Sequence, residues 1–418
     1  MNFFNYKNNI LYAEDVAVEA IAEKVGTPLY IYSYETIKRH FLNFHNAFNS
    51  YPHIICYALK ANPHGSILRS LAQLGSGADI VSGGELYRAL RAGVPAQKIV
   101  YAGVGKTDDE IRYALSSGIL LFNVESAEEL ENINSIASEM NIKASVALRV
   151  NPDIDPQTHP YISTGLKKHK FGIPINEALE FYSQAQKLSF IEIWGIHKHI
   201  GSQITQIDPF VEALKKVLVL SDDLLKQGIE VKYIDIGGGL GIRYNDETPL
   251  EPSALAQKIL PLMKQKNMTL ILEPGRSIVG NSGILVTKVL YRKKGEGKKF
   301  IIVDAGMNDM LRPSLYDAYH HIIPVKKQRK KLVIADIVGP ICETGDFLAR
   351  QREIEEPQRG ELLAVMSAGA YGISMSSHYN SRPKVAEVLV KGNEFFVISQ
   401  REQYRDMIKQ EHIPEFLQ

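Results

Sequence analysis

Two cysteines, Cys56 and Cys342, are all that 418 residues carry. That count leaves no disulfide framework and fits a reducing compartment. Charge of neither sign is in excess: 48 Lys and Arg face 47 Asp and Glu, a formal net charge of +1. Electrostatics therefore nominates no nucleic-acid or membrane partner. No apolar run approaches the roughly 20 residues of a membrane span. The start, Met1-Asn2-Phe3-Phe4-Asn5-Tyr6-Lys7, lacks a basic stretch followed by an apolar core, so no signal peptide and a cytoplasmic location are expected. Internal repeats and low-complexity tracts are missing, and the one basic run, 326–331, reads as a solvated loop. What is left is an ordinary globular composition, 45% hydrophobic and 23% charged, enough for two or three domains.

Rhythm is what the chain does have. Short apolar runs at 54–60, 78–82, 99–102, 120–124, 144–150, 193–200, 233–236 and 270–272 alternate with amphipathic segments such as 85–92, 108–116 and 127–140. Runs without a period of two read as strands buried on both faces. Eight of them alternating with helices predict a (β/α)8 barrel over about residues 28–280. The gap after the fifth strand holds an insertion, 153–173, over the face where such barrels bind substrate. Beyond residue 280 the strand-like segments 284–291, 299–303, 332–338, 362–366, 384–390 and 394–397 have few long helices between them. They predict a second, mostly β domain made of 281–418 with 1–27.

In such barrels the reacting groups stand at the C-terminal ends of strands, and unusual residues gather there. Lys60 closes the first run, either as a surface charge or as an amine able to attack a carbonyl. Asp79 belongs to the second. His197-Lys198-His199-Ile200-Gly201-Ser202 ends the sixth, Asp235-Ile236-Gly237-Gly238-Gly239 the seventh, and Glu273-Pro274-Gly275-Arg276 the eighth. Three glycines make a tight turn or, after strands seven and eight, a cradle of backbone N–H groups for a phosphate, to which Gly275-Arg276 would add donors. The His-x-His pair lacks further ligands at metal-site spacing, so no metal is expected, and a flat His199 suits stacking on a cofactor ring. Glu273 either pairs with Arg276 or faces the ring nitrogen of pyridoxal phosphate, where an anion keeps that nitrogen protonated.

Together with Tyr57-Ala58-Leu59-Lys60-Ala61-Asn62 and Gly339-Pro340-Ile341-Cys342-Glu343-Thr344-Gly345-Asp346, these motifs resemble the group IV amino-acid decarboxylases, the fold-type III pyridoxal phosphate enzymes. The resemblance runs from about residue 25 to 405. It implies an alanine-racemase-like barrel with a C-terminal β domain, and pyridoxal 5'-phosphate as cofactor. Lys60 would hold the cofactor covalently, with Asp79 steering the site around it. His199 would stack on the ring and Glu273 would meet its nitrogen. Ser202, Gly239, Pro274, Gly275, Arg276 and Tyr371 would surround the phosphate. Arg276, Arg312, Tyr316, Glu343 and Tyr371 would bind an amino-acid substrate, and Cys342 would protonate the product carbon. The resemblance further implies a homodimer with shared active sites. Within the family the pattern is nearest to the branch acting on diaminopimelate, because Arg312 and Arg276 with Glu343 offer a cation and an anion to a distal zwitterion. Segment 163–172 also resembles that branch's specificity segment. Decarboxylases of carboxynorspermidine, ornithine or arginine are the rivals. A non-catalytic binding homologue is a further alternative, and it should lack the lysine.

Overall fold

The structure is a computed structural model and describes residues 2–154 and 170–418. Two compact units divide the chain: 38–243 with 247–278, and 1–37 with 244–246 and 279–418.

The first unit is the barrel. Its strands are β1 His53–Ala58, β2 Gly77–Ile80, β3 Ile99–Tyr101, β4 Leu121–Val124, β5 Ala144–Asn151, β6 Ile191–His197, β7 Tyr233–Asp235 and β8 Thr269–Leu272. Each pairs in parallel with the next, and β8 pairs with β1 through Leu270–His53 and Ile271–Ile54, which closes the ring. Cys56, Val100, Leu121, Ala147 and Ile271, from five of the strands, pack as one buried cluster.

Polar side chains set where the helices after β2, β3 and β4 begin. Ser82, Thr107 and Ser126 are N-caps of Gly83–Arg91, Asp108–Ser117 and Ala127–Met140, each accepting the backbone N–H of a glutamate three residues on. This is the Ser/Thr-x-x-Glu start signal. The glutamates also tie the loops to one another: Glu110 accepts the Gly83 N–H at 2.7 Å, and Glu129 takes the Lys106 ammonium at 2.5 Å. The loop ends above the barrel are thus braced before any ligand arrives.

The second unit is a mixed sheet in the order Phe347–Glu355, Leu332–Val338, Lys299–Val303, Gly283–Lys294, Leu29–Ser33, Ala386–Lys391 and Glu394–Ser399. Residues of the N-terminal segment, including Leu11, Val18 and Ile21, share a core with Ile284, Val286 and Val388.

Three expectations need correcting. The domain border set at residue 28 falls in front of Leu29–Ser33, which pairs antiparallel with Gly283–Val286 and parallel with Ala386–Val390. It is an all-buried strand of the β sheet, not of the barrel. Lys60 does not close a strand: β1 stops at Ala58, and Lys60 sits in a one-turn 3-10 helix, Leu59–Ala61. The nine-residue strand Phe347–Glu355 was not foreseen, because Arg350-Gln351-Arg352-Glu353 fills its middle with polar groups. It pairs on one side only, with Leu332–Val338, so those side chains reach water. Of the insertion 153–173 and the segment 163–172, residues 155–169 lie outside the described residues. Among the described residues no helix is long and apolar enough to cross a membrane.

Candidate active site

An amine and an acid meet at the ends of β1 and β2. Lys60 Nζ lies 2.7 Å from Asp79 Oδ2, with the lysine side chain 39% exposed and the aspartate side chain fully buried. Asp79 Oδ1 is buried and has no hydrogen-bond partner. Burial, then the charge of Glu273, pushes the Asp79 carboxyl up to about 7 against the pull of Lys60. A carboxyl poised there exchanges a proton with its neighbour near neutral pH.

A second cluster closes β4, β6, β7 and β8. Glu273 follows β8 directly and is buried. His197 Nε2 is 3.5 Å from its Oε2, and the Asn123 amide lies 3.4 Å from both Glu273 Oε1 and Asp235 Oδ2. Asp235 Oδ1 accepts the Gly237 N–H at 2.8 Å. Two carboxyls this close and this buried do not both ionise. Burial and Glu273 drive the Asp235 pKa well above its usual range. Burial works against charge on Glu273 too, but His197, Lys60 and the hydrogen bond from Asp235 outweigh it and hold Glu273 well below the usual carboxylate range. His197 is itself pulled down by burial against the pull of Glu273. The net direction makes Glu273 the charged member of the pair and Asp235 the protonated one. The result is a buried anion at the end of β8, held by His197, Asp235 and Asn123 rather than by Arg276. Among the described residues, His197, Asp235 and Glu273 also form a group spaced for a metal, their ligand atoms lying within 4.8 Å of one another. A cation there would first have to displace the proton from Asp235.

The glycine triplet does more than turn the chain. A Cβ on Gly237 would lie 2.6 Å from His199 Nδ1, one on Gly238 2.3 Å from the Glu273 carbonyl oxygen, and one on Gly239 2.7 Å from the Gly201 carbonyl oxygen. Residues 237–239 are pressed between the ends of β6 and β8, and Gly237 and Gly239 also have φ of +67° and +113°. His199 Nδ1 accepts the Gly238 N–H at 3.3 Å, which puts the ring proton on Nε2. Burial, then Arg149 and Lys60, hold the His199 pKa well below its usual value, so the ring is neutral. Beside it the buried Arg276 guanidinium donates to Ser202 Oγ, at 3.3 Å from Nε and 3.0 Å from Nη2. Gly275 lets Pro274–Arg276 settle on Ala58 and Ala61, whose Cβ atoms would each be 3.1 Å from a Cβ there. The barrel unit thus gathers Lys60, Asp79, His199, Ser202, Gly239, Glu273, Pro274, Gly275 and Arg276 at one set of strand ends.

The other candidates belong to the β unit. Arg312 and Tyr316 begin and end the helical turn Arg312–Tyr316. The Arg312 Nε–H donates to His320 Nε2 at 3.3 Å, and its guanidinium carbon lies 4.9 Å from the Tyr244 ring centre. Cys342 is an exposed free thiol, and its N–H donates to Asn380 Oδ1 at 2.8 Å. Glu343 accepts the Tyr379 hydroxyl at 2.7 Å. Tyr371 has φ of +57°, a left-handed conformation rare for an aromatic residue. The next residue, Gly372, has no room for a Cβ, which would lie 2.6 Å from the Tyr30 hydroxyl.

Reading the sequence assigned no part to Asn123, His197, Asp235, Tyr244 or His320. Asn123 left a legible signal: an amide inside the apolar strand Leu121–Val124, fully buried. His197 and Asp235 stood in the strand-end motifs without a role, and Tyr244 and His320 are brought to Arg312 by packing that the sequence does not show.

Comparison with known proteins agrees with this geometry. The family model described as pyridoxal-dependent decarboxylase, pyridoxal binding domain, matches residues 34–280. The diaminopimelate decarboxylase of Aquifex aeolicus is 55% identical over 404 residues, 96% of each chain. That of Haemophilus influenzae is 51% identical over 410 residues, 97% of this chain and 98% of its own. Among solved structures, the diaminopimelate decarboxylase of M. jannaschii in complex with L-lysine superposes with a TM-score of 0.95 at 41% identity, over 99% of both chains.

Proposed function

Because the chain belongs to the pyridoxal-dependent decarboxylases, and among them to the diaminopimelate decarboxylases, we propose that it removes one carboxyl group of meso-2,6-diaminopimelate, leaving L-lysine and carbon dioxide in the last step of lysine biosynthesis. The barrel residues fit pyridoxal 5'-phosphate: an accessible amine, a partnerless carboxyl oxygen beside it, a buried carboxyl favoured as an anion, and Arg276 with Ser202 beside it. When bound, the cofactor supplies an electron sink for the pair left by the departing carboxylate, deepest when its ring nitrogen keeps a proton.

The side chains divide the work. Lys60 supplies the amine that would hold the cofactor's aldehyde. Asp79, at 2.7 Å and with its pKa near 7, takes and returns a proton at Lys60 Nζ. Glu273 would hold the proton of the ring nitrogen, and Asp235 and Asn123 favour the charge on Glu273 and orient it. His199, neutral and flat, would cover a ring face without adding charge. Ser202, Arg276 and the N–H groups of Gly239 and Gly275 would hold the phosphate, with Pro274 fixing the backbone between Glu273 and Gly275, and Tyr371 would add a hydroxyl. On the β unit, Arg312, assisted by Arg276, takes the substrate's distal carboxylate, Glu343 takes its distal amine, and Tyr316 lines that end. Cys342 delivers the proton to the carbon. Its thiol and Glu343 are both exposed in the single chain, which supports a homodimer in which a second copy covers them. Two free thiols and near-balanced charge support a cytoplasmic enzyme with no nucleic-acid or membrane partner.

The observation that carries the chemistry is the charged Glu273 buried at the end of β8, since a neutral or cationic group there would weaken the sink. The test is direct. The purified protein supplied with pyridoxal phosphate should release carbon dioxide and L-lysine from meso-diaminopimelate, and should leave ornithine, arginine and carboxynorspermidine largely untouched. Lys60→Ala should lose both turnover and the visible absorbance of bound cofactor. Turnover of ornithine in preference would sink the substrate assignment, and wild-type protein that never binds the cofactor would sink the whole reading.

A further inference from the structure

Arg312 is held from behind by a residue that sequence reading passed over. His320 is fully buried, and its two ring nitrogens have different partners. Nδ1 lies 2.9 Å from the Met366 carbonyl oxygen, and Nε2 lies 3.3 Å from Arg312 Nε. A carbonyl only accepts and a guanidinium only donates. Nδ1 must therefore carry the proton, and Nε2 must be a bare lone pair. Only the neutral Nδ1–H tautomer satisfies both contacts.

The third wall is Tyr244. Its buried ring meets His320 edge-on, with ring centres 5.1 Å apart at 77°, and its face receives the Arg312 guanidinium. Bonding at Nε fixes the roll of the guanidinium plane, and stacking on an aromatic face fixes its tilt. The two Nη groups then present a preset fork, the shape that grips a carboxylate bidentately.

We propose that His320 is the positioning residue for Arg312, fixing the fork that takes the substrate's distal carboxylate while neutral and releasing it when protonated. The inference deepens the diaminopimelate reading and rests on it. A proton on Nε2 would set an N–H against the Arg312 Nε–H and a cation against a cation. A second cation stands close by. Arg352, on Phe347–Glu355, donates Nη1–H to the His320 carbonyl at 2.7 Å and lies over the Tyr319 ring. Tyr319 and His321, its chain neighbours, face each other at 3.4 Å. Tyr244, Met366, Tyr319 and His321 bring no anion, and Arg312 and Arg352 bring cations. The sign follows: as pH falls and His320 takes a proton, Arg312 loses its anchor and KM for diaminopimelate rises, while kcat, set by the barrel groups, does not follow the same curve.

His320→Gln tests this, because an amide offers an oxygen to Arg312 and an N–H to Met366 but does not titrate. The variant should keep the wild-type KM at alkaline pH and lose its acid rise. His320→Leu, which removes the acceptor, should raise KM roughly tenfold at every pH, the loss of about one hydrogen bond to a charged group. Independently, the ring 15N shifts of His320 in cofactor-free protein, assigned by the peaks missing from His320→Gln, should report the Nδ1–H tautomer. This needs neither turnover nor a folded Leu variant. An Nε2–H tautomer, or the same acid rise in KM for His320→Gln as for wild type, overturns the inference. Wild-type protein that never releases carbon dioxide from diaminopimelate overturns the functional reading instead, and leaves the tautomer result to decide whether His320 holds Arg312.

Discussion

Asp79→Asn should make the barrel more stable and the enzyme slower, with the stability gain appearing only as pH rises. Asp79 is 1% exposed, and burial with Glu273 lifts its pKa from 3.8 to about 7 although Lys60 pulls it down. Between those two values the folded protein binds a proton that the unfolded chain has released. Stability therefore falls as pH rises through that window, by about 1.36 kcal/mol per pH unit. The interval from 3.8 to about 7 makes the total about 4 kcal/mol, with the attraction of Lys60 already included. An asparagine never ionises and still offers an oxygen to Lys60. The variant should match wild type near pH 4, gain on it steadily, and lead by up to about 4 kcal/mol above pH 7. Its kcat should fall by about a hundredfold with the proton exchange at Lys60 removed. The chain's one tryptophan, Trp194, lies in β6 against Tyr233, so its fluorescence follows the barrel alone through urea unfolding of cofactor-free protein. A wild-type-to-variant difference that does not change with pH would refute the reasoning, because it would mean Asp79 stays ionised in the fold.

How much of this was legible beforehand differs between the two units. The barrel announced itself because most of its strand positions are buried on both faces and read as short apolar runs, as in Ile99–Tyr101. Its caps are encoded in four residues of local sequence, Ser126-Ala127-Glu128-Glu129 being one case, and the helix starts at Asp108 and Ala127 were readable too. The β unit hides more, since Phe347–Glu355 is an edge strand whose polar centre mimics a loop. The Leu29–Ser33 strand looked like part of the barrel because chain order is all a sequence offers, whereas its partners are more than 250 residues away. Groups that touch cofactor or substrate sit in motifs, and a motif is visible. Groups that set the charge of those groups are harder to read: Asn123 and Asp235 are 112 residues apart, and although Asp235 opens the glycine motif, nothing in the sequence ties either to Glu273. The glycines at 237–239 were legible as a turn, but the reason no side chain fits, three carbonyl or imidazole atoms at 2.3–2.7 Å, exists only in the fold.

Glu273→Gln should cut kcat by about a hundredfold or more, by analogy with deleting a preorganised electrostatic partner, with little change in KM; steady-state kinetics decides, and an unchanged kcat would detach Glu273 from the sink. Gly238→Ala would place a methyl 2.3 Å from the Glu273 carbonyl oxygen, so cofactor affinity and thermal stability should both drop; a variant that binds cofactor normally would show that the β7 and β8 ends can part. The buried Cys56 thiol should react with a thiol reagent only after unfolding; its modification in folded, cofactor-free protein would contradict its place inside the barrel. Lys198 gives the mirror image of Asp79. Its ammonium is fully buried among β6 and Phe210, its Nζ has no hydrogen-bond partner, and burial pulls its pKa from 10.5 to about 7 against the attraction of Asp235. Between those values it is the unfolded chain that holds the extra proton, so wild-type stability rises with pH. Lys198→Met keeps the volume and removes the amine, and should stabilise the barrel by about 4 kcal/mol at pH 7, the advantage fading toward pH 10.5. Trp194 fluorescence under urea reads both variants. Asp79→Asn must gain with rising pH and Lys198→Met must lose. If Lys198→Met instead weakens the barrel at pH 7, then Lys198 is charged in the fold and paired with Asp235, and the proton assigned to Asp235, with the charge on Glu273 that depends on it, would have to be reassigned.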